Sequence, residues 1–581
     1  MITKINIGKV AAGVCYILLY SSTPLLLNSC SDFLEITPQE TIVLDKFWNE
    51  EADVENVVAG CYAAMQEQAV IDRMMVWGEF RSDNIVGGTN IENETSLSNI
   101  FKENINASNS FATWGEFYNI INRCNTVLHY APIVAEKDPN YTQSELRATV
   151  AEASALRDLM YFYLIRTFRD VPYYTEPYLD DNQTMNLPAT PFQAVLDSLI
   201  QDLEAVQDQA VRRYPTTKTY YQRGRITQDA IHAMLADMYL WKEDYERAIY
   251  YADLVISAKT TDYQELLDKM PGDVSANEQM IDGYPLISDA MTSGNYYGNA
   301  FSEIFGSGNS RESILELMFM NNDQMLSNVA VGLRFGNATT FPGHARPADF
   351  ICTDVGDEVY SVFLNKYDTR YYENLQSVNG SKTLFGISKY TTTTAMVDLS
   401  KAEIQASYSE LYTDGYCHAN WIIYRLTDVM LMKAEALVQM MGNETLTDRD
   451  QELRQQAFGI VNTISKRSNC SSGNKDLDMA NYPNKSTMTA LVLEERQREL
   501  MFEGKRWYDL VRRSMREGNT NYLVGVVSRK GSSGTGAIAS KLSRMDAIFW
   551  PYHNDEIKVN SNLVQNPAFG SGESGSYERT K

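Results

Sequence analysis

From Ile226 to Ser257 apolar or small residues recur every three or four positions: Ala230, Met234, Met238 and Trp241, then Ala248, Ala252 and Val255. Such spacing puts them on one face of two successive helices, separated by Lys242-Glu243-Asp244-Tyr245. Less regular versions of the pattern predict helices near 45–66, 114–131, 146–169 and 191–208, and a later pair near 421–441 and 451–467. A further helix is expected near 487–515. Residues 259–420 lose the helical period. Gly, Asn, Ser and Thr are frequent there, and Ser313 to Phe319 reads as a strand or a short helix.

The best helical pair carries Leu235-Ala236-x-x-Tyr239 and Tyr245-x-x-Ala248-x-x-x-Ala252. Small residues let two antiparallel helices approach closely, and large ones fill the gaps, as in a tetratricopeptide-type repeat. The predicted fold is mainly α: a tetratricopeptide-like helical-repeat scaffold over 41–258 and 421–515, with a large loop-rich insertion over 259–420. A C-terminal segment, 516–581, completes a single domain starting near residue 41. Its Gly531 to Gly536 stretch reads as a mobile loop.

The amino terminus follows a different logic. Lys4 and Lys9 precede the apolar runs Val10 to Leu19 and Leu25-Leu26-Leu27, and small or polar residues lead to Cys30. Charge, apolar run and small-residue cleavage site make an export signal. The run falls short of the roughly 20 apolar residues a membrane span needs. A cysteine at the cleavage point predicts a lipoprotein: signal over 1–29, lipidated Cys30, and a tether over 30–40. Several acyl chains would hold such a protein stably at a membrane.

The chain has 75 acidic against 51 basic residues, a net charge of −24. Nucleic acid is therefore excluded as an expected partner, since it needs basic tracks. Seven cysteines occur, five beyond Cys30, with no C-x-x-C and no matching His spacing, so no metal or cofactor is expected. The five read as isolated buried thiols, with Cys352–Cys417 as a possible disulfide.

Several motifs then fall in a fixed order. They begin with Cys30-Ser31-Asp32-Phe33-Leu34-Glu35, Trp77 through Asn84, Trp114-x-x-x-Tyr118, Ala151 through Tyr161, and Asp170-Val171-Pro172. They continue with Gly224-Arg225-Ile226, Tyr424 through Asp428, Glu494 through Leu510, Trp550-Pro551 and Asn562 through Pro567. Together they resemble the SusD/RagB family of surface glycan-binding lipoproteins along essentially the whole chain. One departure is Arg169, where the family often has glycine. The resemblance implies a binder and not an enzyme, holding an oligo- or polysaccharide at the outer face of the outer membrane. It also implies a partner, a SusC-type TonB-dependent transporter, over which the protein acts as a lipid-anchored lid.

Sugar rings offer apolar C–H faces to aromatic side chains and hydroxyl edges to polar ones. Two regions carry suitable residues. In the first, Trp77, Asp83 and Asn84, Asp83 either accepts two sugar hydroxyls or caps the following turn. In the second, Tyr296, Tyr297, Phe335, Phe341 and Arg346 either form a platform or pack inward. Arg370 matches a family motif and is either a ligand residue or structural. Trp507, Tyr508 and Trp550 read as core. Arg496, Arg498, Glu499, Glu503 and Arg506 read as a charge ladder at the scaffold's edge. A glycoside hydrolase would need a carboxylate pair flanking a cleft, and a peptide-uptake lid is a third class.

Overall fold

Helices form at the predicted spacings. α1 (Glu51–Met65), α2 (Gly115–Lys137), α3 (Gln143–Phe168), α4 (Phe192–Val206), α5 (Gln228–Trp241) and α6 (Tyr245–Leu267) follow in order, each packed on the next. Side-chain oxygens cap the starts of several of them. Thr142 and Glu145 form a capping box on α3, and Asp244 accepts the Arg247 N–H at 3.2 Å on α6. In the predicted repeat, Ala230, Ala236, Ala248 and Ala252 are buried. They bring α5 and α6 close enough for Tyr239 and Tyr251 to stack at 5.6 Å. The array continues as α6 packs on α7 (Leu426–Gln439), and α7 packs on α8 (Asp448–Arg467) and α9 (Lys485–Leu500). The fold is a mainly helical, tetratricopeptide-like stack, as expected.

This computed structural model describes residues 47–570 apart from 90, 181, 271–279, 293, 320–326, 338–340, 354–361, 364, 382, 402–403, 411–416, 443–445 and 531–534. The signal, Cys30, the tether and most of the Gly531–Gly536 stretch lie outside the described residues. The described residues from Trp48 onward group as one compact unit.

Two predicted helices differ from expectation. The one near 421–441 opens as a strand, Trp421–Arg425, whose aromatic and β-branched side chains suit a buried sheet, and turns helical only at Leu426. The one near 487–515 divides into α9 and α10 (Arg506–Glu517). Phe502 and Gly504 take φ of +69° and +71° at the break. The ambiguous Ser313–Leu317 is a strand and pairs antiparallel with Trp421–Arg425.

The insertion is built from short strands. β1 (Ile85–Gly87) comes from the scaffold side, followed by β2 (Ala290–Thr292), β3 (Asn295–Tyr297), β4 (Ser313–Leu317), β5 (Gly336–Asn337), β6 (Phe341–Pro342) and β7 (Ala345–Pro347). Then come β8 (Leu375–Ser377), β9 (Phe385–Ile387), β10 (Thr392–Asp398), β11 (Gln405–Glu410) and β12 (Trp421–Arg425). One sheet has the order β11-β10-β3-β2, and β1–β7, β5–β6 and β8–β9 form antiparallel pairs. The pairing of β1 with β7 joins the scaffold to the insertion.

All five described cysteines are free thiols. The possible Cys352–Cys417 disulfide is not formed: Cys417 is buried and donates its S–H to the Tyr390 carbonyl at 3.7 Å. Cys61 and Cys124, on α1 and α2, bring their Sγ atoms to 3.8 Å.

Candidate functional site

Most of the sequence-predicted residues lie in the interior. Trp77 is fully buried in a π-helical turn, Val76–Phe80, and donates its indole N–H to the Phe111 carbonyl at 2.8 Å. Asp83 accepts two Arg506 N–H groups at 2.8 and 3.0 Å and one from Gln497 at 3.1 Å. Burial pushes its carboxyl up, but the Arg506 guanidinium outweighs burial and holds it below the usual carboxylate range. Asn84 donates to Glu79 at 2.7 Å and accepts from Gln497 at 2.7 Å. Asp83 and Asn84 brace the scaffold against the break before α10, while Trp77 packs against Phe117 and Phe168. The turn-capping reading of Asp83 is likewise replaced by this ion pair.

Tyr296 is buried, its hydroxyl donating to Asp289 at 2.7 Å. Phe335 is 1% exposed. Arg370 is buried among Asp368, Glu495 and Glu499 at 2.9, 2.7 and 3.2 Å, a structural role. The supposed edge ladder is buried too. It pairs across elements as well as along its own helix: Arg498–Glu495 is local at 2.9 Å, while Arg496 reaches Asp428 and Asp509 at 3.0 and 2.9 Å. Trp507, Tyr508 and Trp550 are core. Tyr297 is 40% exposed on β3. Phe341 lies on β6, and its side chain is outside the described set.

Arg346 stands at a groove of about 70 Å³ where β1, β7 and β9 meet. Phe335, Ala345 and Gly343 lie buried at its base; Thr89, Arg346, Leu384 and Phe385 reach solvent to differing degrees. Two glycines make the close approach possible. A Cβ on Gly88 would lie 2.4 Å from the Gly343 carbonyl oxygen, and one on Gly343 would lie 2.4 Å from Phe335 backbone carbon. The neighbouring chain is pinned by charge. Asp72 grips Arg334 through two bonds of 2.8 and 2.7 Å, and Arg334 donates to His344 Nδ1 at 2.7 Å. Burial and then the Arg334 charge lower the His344 pKa, so the ring is a neutral acceptor with its proton on Nε2.

The groove combines an aromatic ring, aliphatic side chains and a guanidinium. Phe385 is held edge-on to Tyr371 at 6.3 Å. Arg346 donates to Asp349 at 2.5 Å and to the Pro347 carbonyl at 3.2 Å, so its charge is largely compensated. No carboxylate lines the groove among the described residues. Of the sequence-predicted residues, Phe335 and Arg346 come together here; Tyr297 does not line the groove. Sequence reasoning missed Thr89, Leu384 and Phe385. The Gly87-Gly88 pair, which marks a close backbone approach, was the available signal.

Comparison with known proteins agrees with this architecture. Residues 272–569 match the model described as the SusD family, and residues 32–240 match one described as starch-binding, associating with the outer membrane. The chain belongs to the SusD family. It is 27% identical to SusD-like protein P38 of Formosa agariphila, over 93% of this chain and 96% of that one. With SusD-like protein P2 of the same organism it shares 24% identity over 84% and 88% of the two chains. A SusD superfamily protein of Bacteroides thetaiotaomicron superposes with a TM-score of 0.61 at 20% identity, covering 90% of this chain and 99% of that one. The surface glycan-binding protein A of Bacteroides uniformis superposes at 0.60, with 19% identity and 89% and 100% coverage.

Proposed function

We propose that this protein binds an oligo- or polysaccharide at the cell's outer surface, without catalysis. It passes the glycan to a TonB-dependent outer-membrane transporter of the SusC type, over which it sits as a lid anchored through lipidated Cys30. The observation that carries the reading is the groove between Gly88-Thr89 and Arg346, on a chain that matches SusD family members over nearly its whole length. The groove supplies what a sugar ring needs: Phe385 and Leu384 for its C–H face, and Thr89 and Arg346 for its hydroxyls. A glycosidase needs two carboxylates about 5–10 Å apart, and the described lining provides none. The compensated Arg346 charge favours a neutral glycan over an acidic one.

Affinity electrophoresis against neutral fructans, glucans, xylans and mannans and against acidic pectins, with a peptide mixture as the contrasting ligand, tests this. Retardation by one polysaccharide is expected. Phe385→Ala and Arg346→Ala should each weaken it about tenfold, roughly 1.4 kcal/mol, while the urea unfolding midpoint stays put. Binding of peptides alone would refute the glycan reading, and release of reducing ends would refute the non-catalytic one.

A further inference from the structure

Two of the described cysteines face each other. Cys61 of α1 and Cys124 of α2 lie 63 residues apart in the chain, yet both are buried and their sulfurs stand 3.8 Å apart. The antiparallel packing of α1 on α2 holds them there. At one end the Glu51 N–H donates to the Asp138 carboxylate at 3.0 Å. Beside the cysteines, Arg123 donates to the Gly60 carbonyl at 3.0 Å.

As thiols the two gain little from this contact, because S–H is a weak donor. A shared metal ion would need further ligands. Among the described residues no group of three His, Cys, Asp or Glu is placed to hold one. A covalent S–S bond is about 2.0 Å long, so each sulfur has only about 1 Å to travel. The folded pair is nevertheless inert. Its hydrogen bond to Cys61, and then burial, push the Cys124 thiol well up, against the pull of the Arg157 charge from α3. The thiolate is the attacking species, so any bond must form while α1 and α2 are still coming together.

We infer that Cys61 and Cys124 close a disulfide when the chain folds in an oxidising compartment. The inference rests on the export step of the proposed function, since disulfides persist outside the reducing cytosol. The chemistry is a double exchange with the reactive disulfide of a protein oxidant. One cysteine thiolate attacks that disulfide, giving a mixed disulfide and releasing one oxidant sulfur. The second cysteine displaces the other. One S–S bond breaks for one that forms, and both thiol protons end on the oxidant, which leaves as a dithiol. The bond staples the first helix after the tether to α2. It closes a loop containing Gly88 and Thr89 of the groove and restricts the unfolded chain.

Thiol mapping of the full chain, taken in detergent from the outer-membrane fraction of cells that export it, tests this. The protein is unfolded in iodoacetamide, with and without prior reduction, then digested with trypsin and weighed. Cleavage after Lys46, Arg73, Arg123 and Lys137 puts Cys61 and Cys124 on separate peptides, 47–73 and 124–137. Without reduction, most of both should appear joined and lacking the two thiol hydrogens, while Cys352, Cys417 and Cys470 are alkylated. Reduction should lower the urea midpoint. Free Cys61 and Cys124 in that fraction overturn the inference, as does either one joined to another cysteine. Absence of the chain from the fraction instead counts against export. The pairing is then decided by refolding the reduced chain in a glutathione redox mixture, where a folded product without the 61–124 link overturns it.

Discussion

Arg169 ends α3 with φ 72° and ψ −75°. The Asp170 N–H reaches the Phe168 carbonyl across it at 3.1 Å, a γ-turn of the strained hand. The family resemblance places glycine here, and the backbone shows why. Arg169→Gly should raise the unfolding free energy by roughly 1 kcal/mol, read as a higher urea midpoint with an unchanged slope. Glu499 is the opposite case. Its carboxylate takes Arg370, Arg425 and Arg467 together, and burial notwithstanding, these hold it well below the usual carboxylate range. Glu499→Ala would remove the one carboxylate that three buried cations share, leaving each with its other partners, Asp368 and Glu495, Glu503, and Glu312, and should cost about 3–5 kcal/mol, measured by calorimetric unfolding. Neither role was legible from spacing. Charges three and four apart suggest neighbours along one helix, whereas Arg467 and Arg425 come from elsewhere in the chain. The same limit applied to Asp83 and Tyr296: a polar or aromatic residue beside turn formers looks exposed until its partner, here Arg506 or Asp289, is known.

Elements were read more successfully than residues, because a helix announces itself through its own period. The repeat over Ile226 to Ser257 folded as its pattern required, and the neighbours followed. The misreadings came where tertiary contact overrides the local pattern. Trp421–Arg425 is strand because Ser313–Leu317 lies alongside. The long C-terminal helix breaks because Gly504 must meet Gly78: a Cβ on Gly78 would come within 1.9 Å of the Gly504 carbonyl oxygen. Gly78→Ala should therefore drive this junction apart and cost about 3 kcal/mol, visible as lost near-ultraviolet circular dichroism from Trp77 and Trp507. An undisturbed spectrum and midpoint would mean the junction is looser than described. The groove was legible only in part, since Phe385 and Thr89 are far from Arg346 along the chain and meet it through strand pairing.

At the scale of the whole molecule, buried carboxyls pull stability in two directions. Asp428 is pushed up by burial, yet Lys505 and Arg496 hold it at about 2. Stability from this group is present above the unfolded value near 4 and is lost as pH falls toward 2. Asp158 and Glu316 are raised by burial to about 7. Their contribution is present below about 4 and is lost as pH climbs through 7. Urea midpoints should therefore peak between about pH 4 and 5 and decline on either side, measured at low protein concentration because the pI is about 4.7. A steady rise from pH 5 to 8 would contradict this balance. The ion pairs also cross the chain's two family matches. Asp83 lies in the first and Arg506 in the second; Asp72 and Arg334 are divided the same way. Recombination between relatives at the seam near residue 250 would separate donors from the acceptors they evolved beside. Viable hybrids would have to inherit both partners of each pair, so these proteins are expected to diversify through their loops while passing on the two halves as a single heritable block.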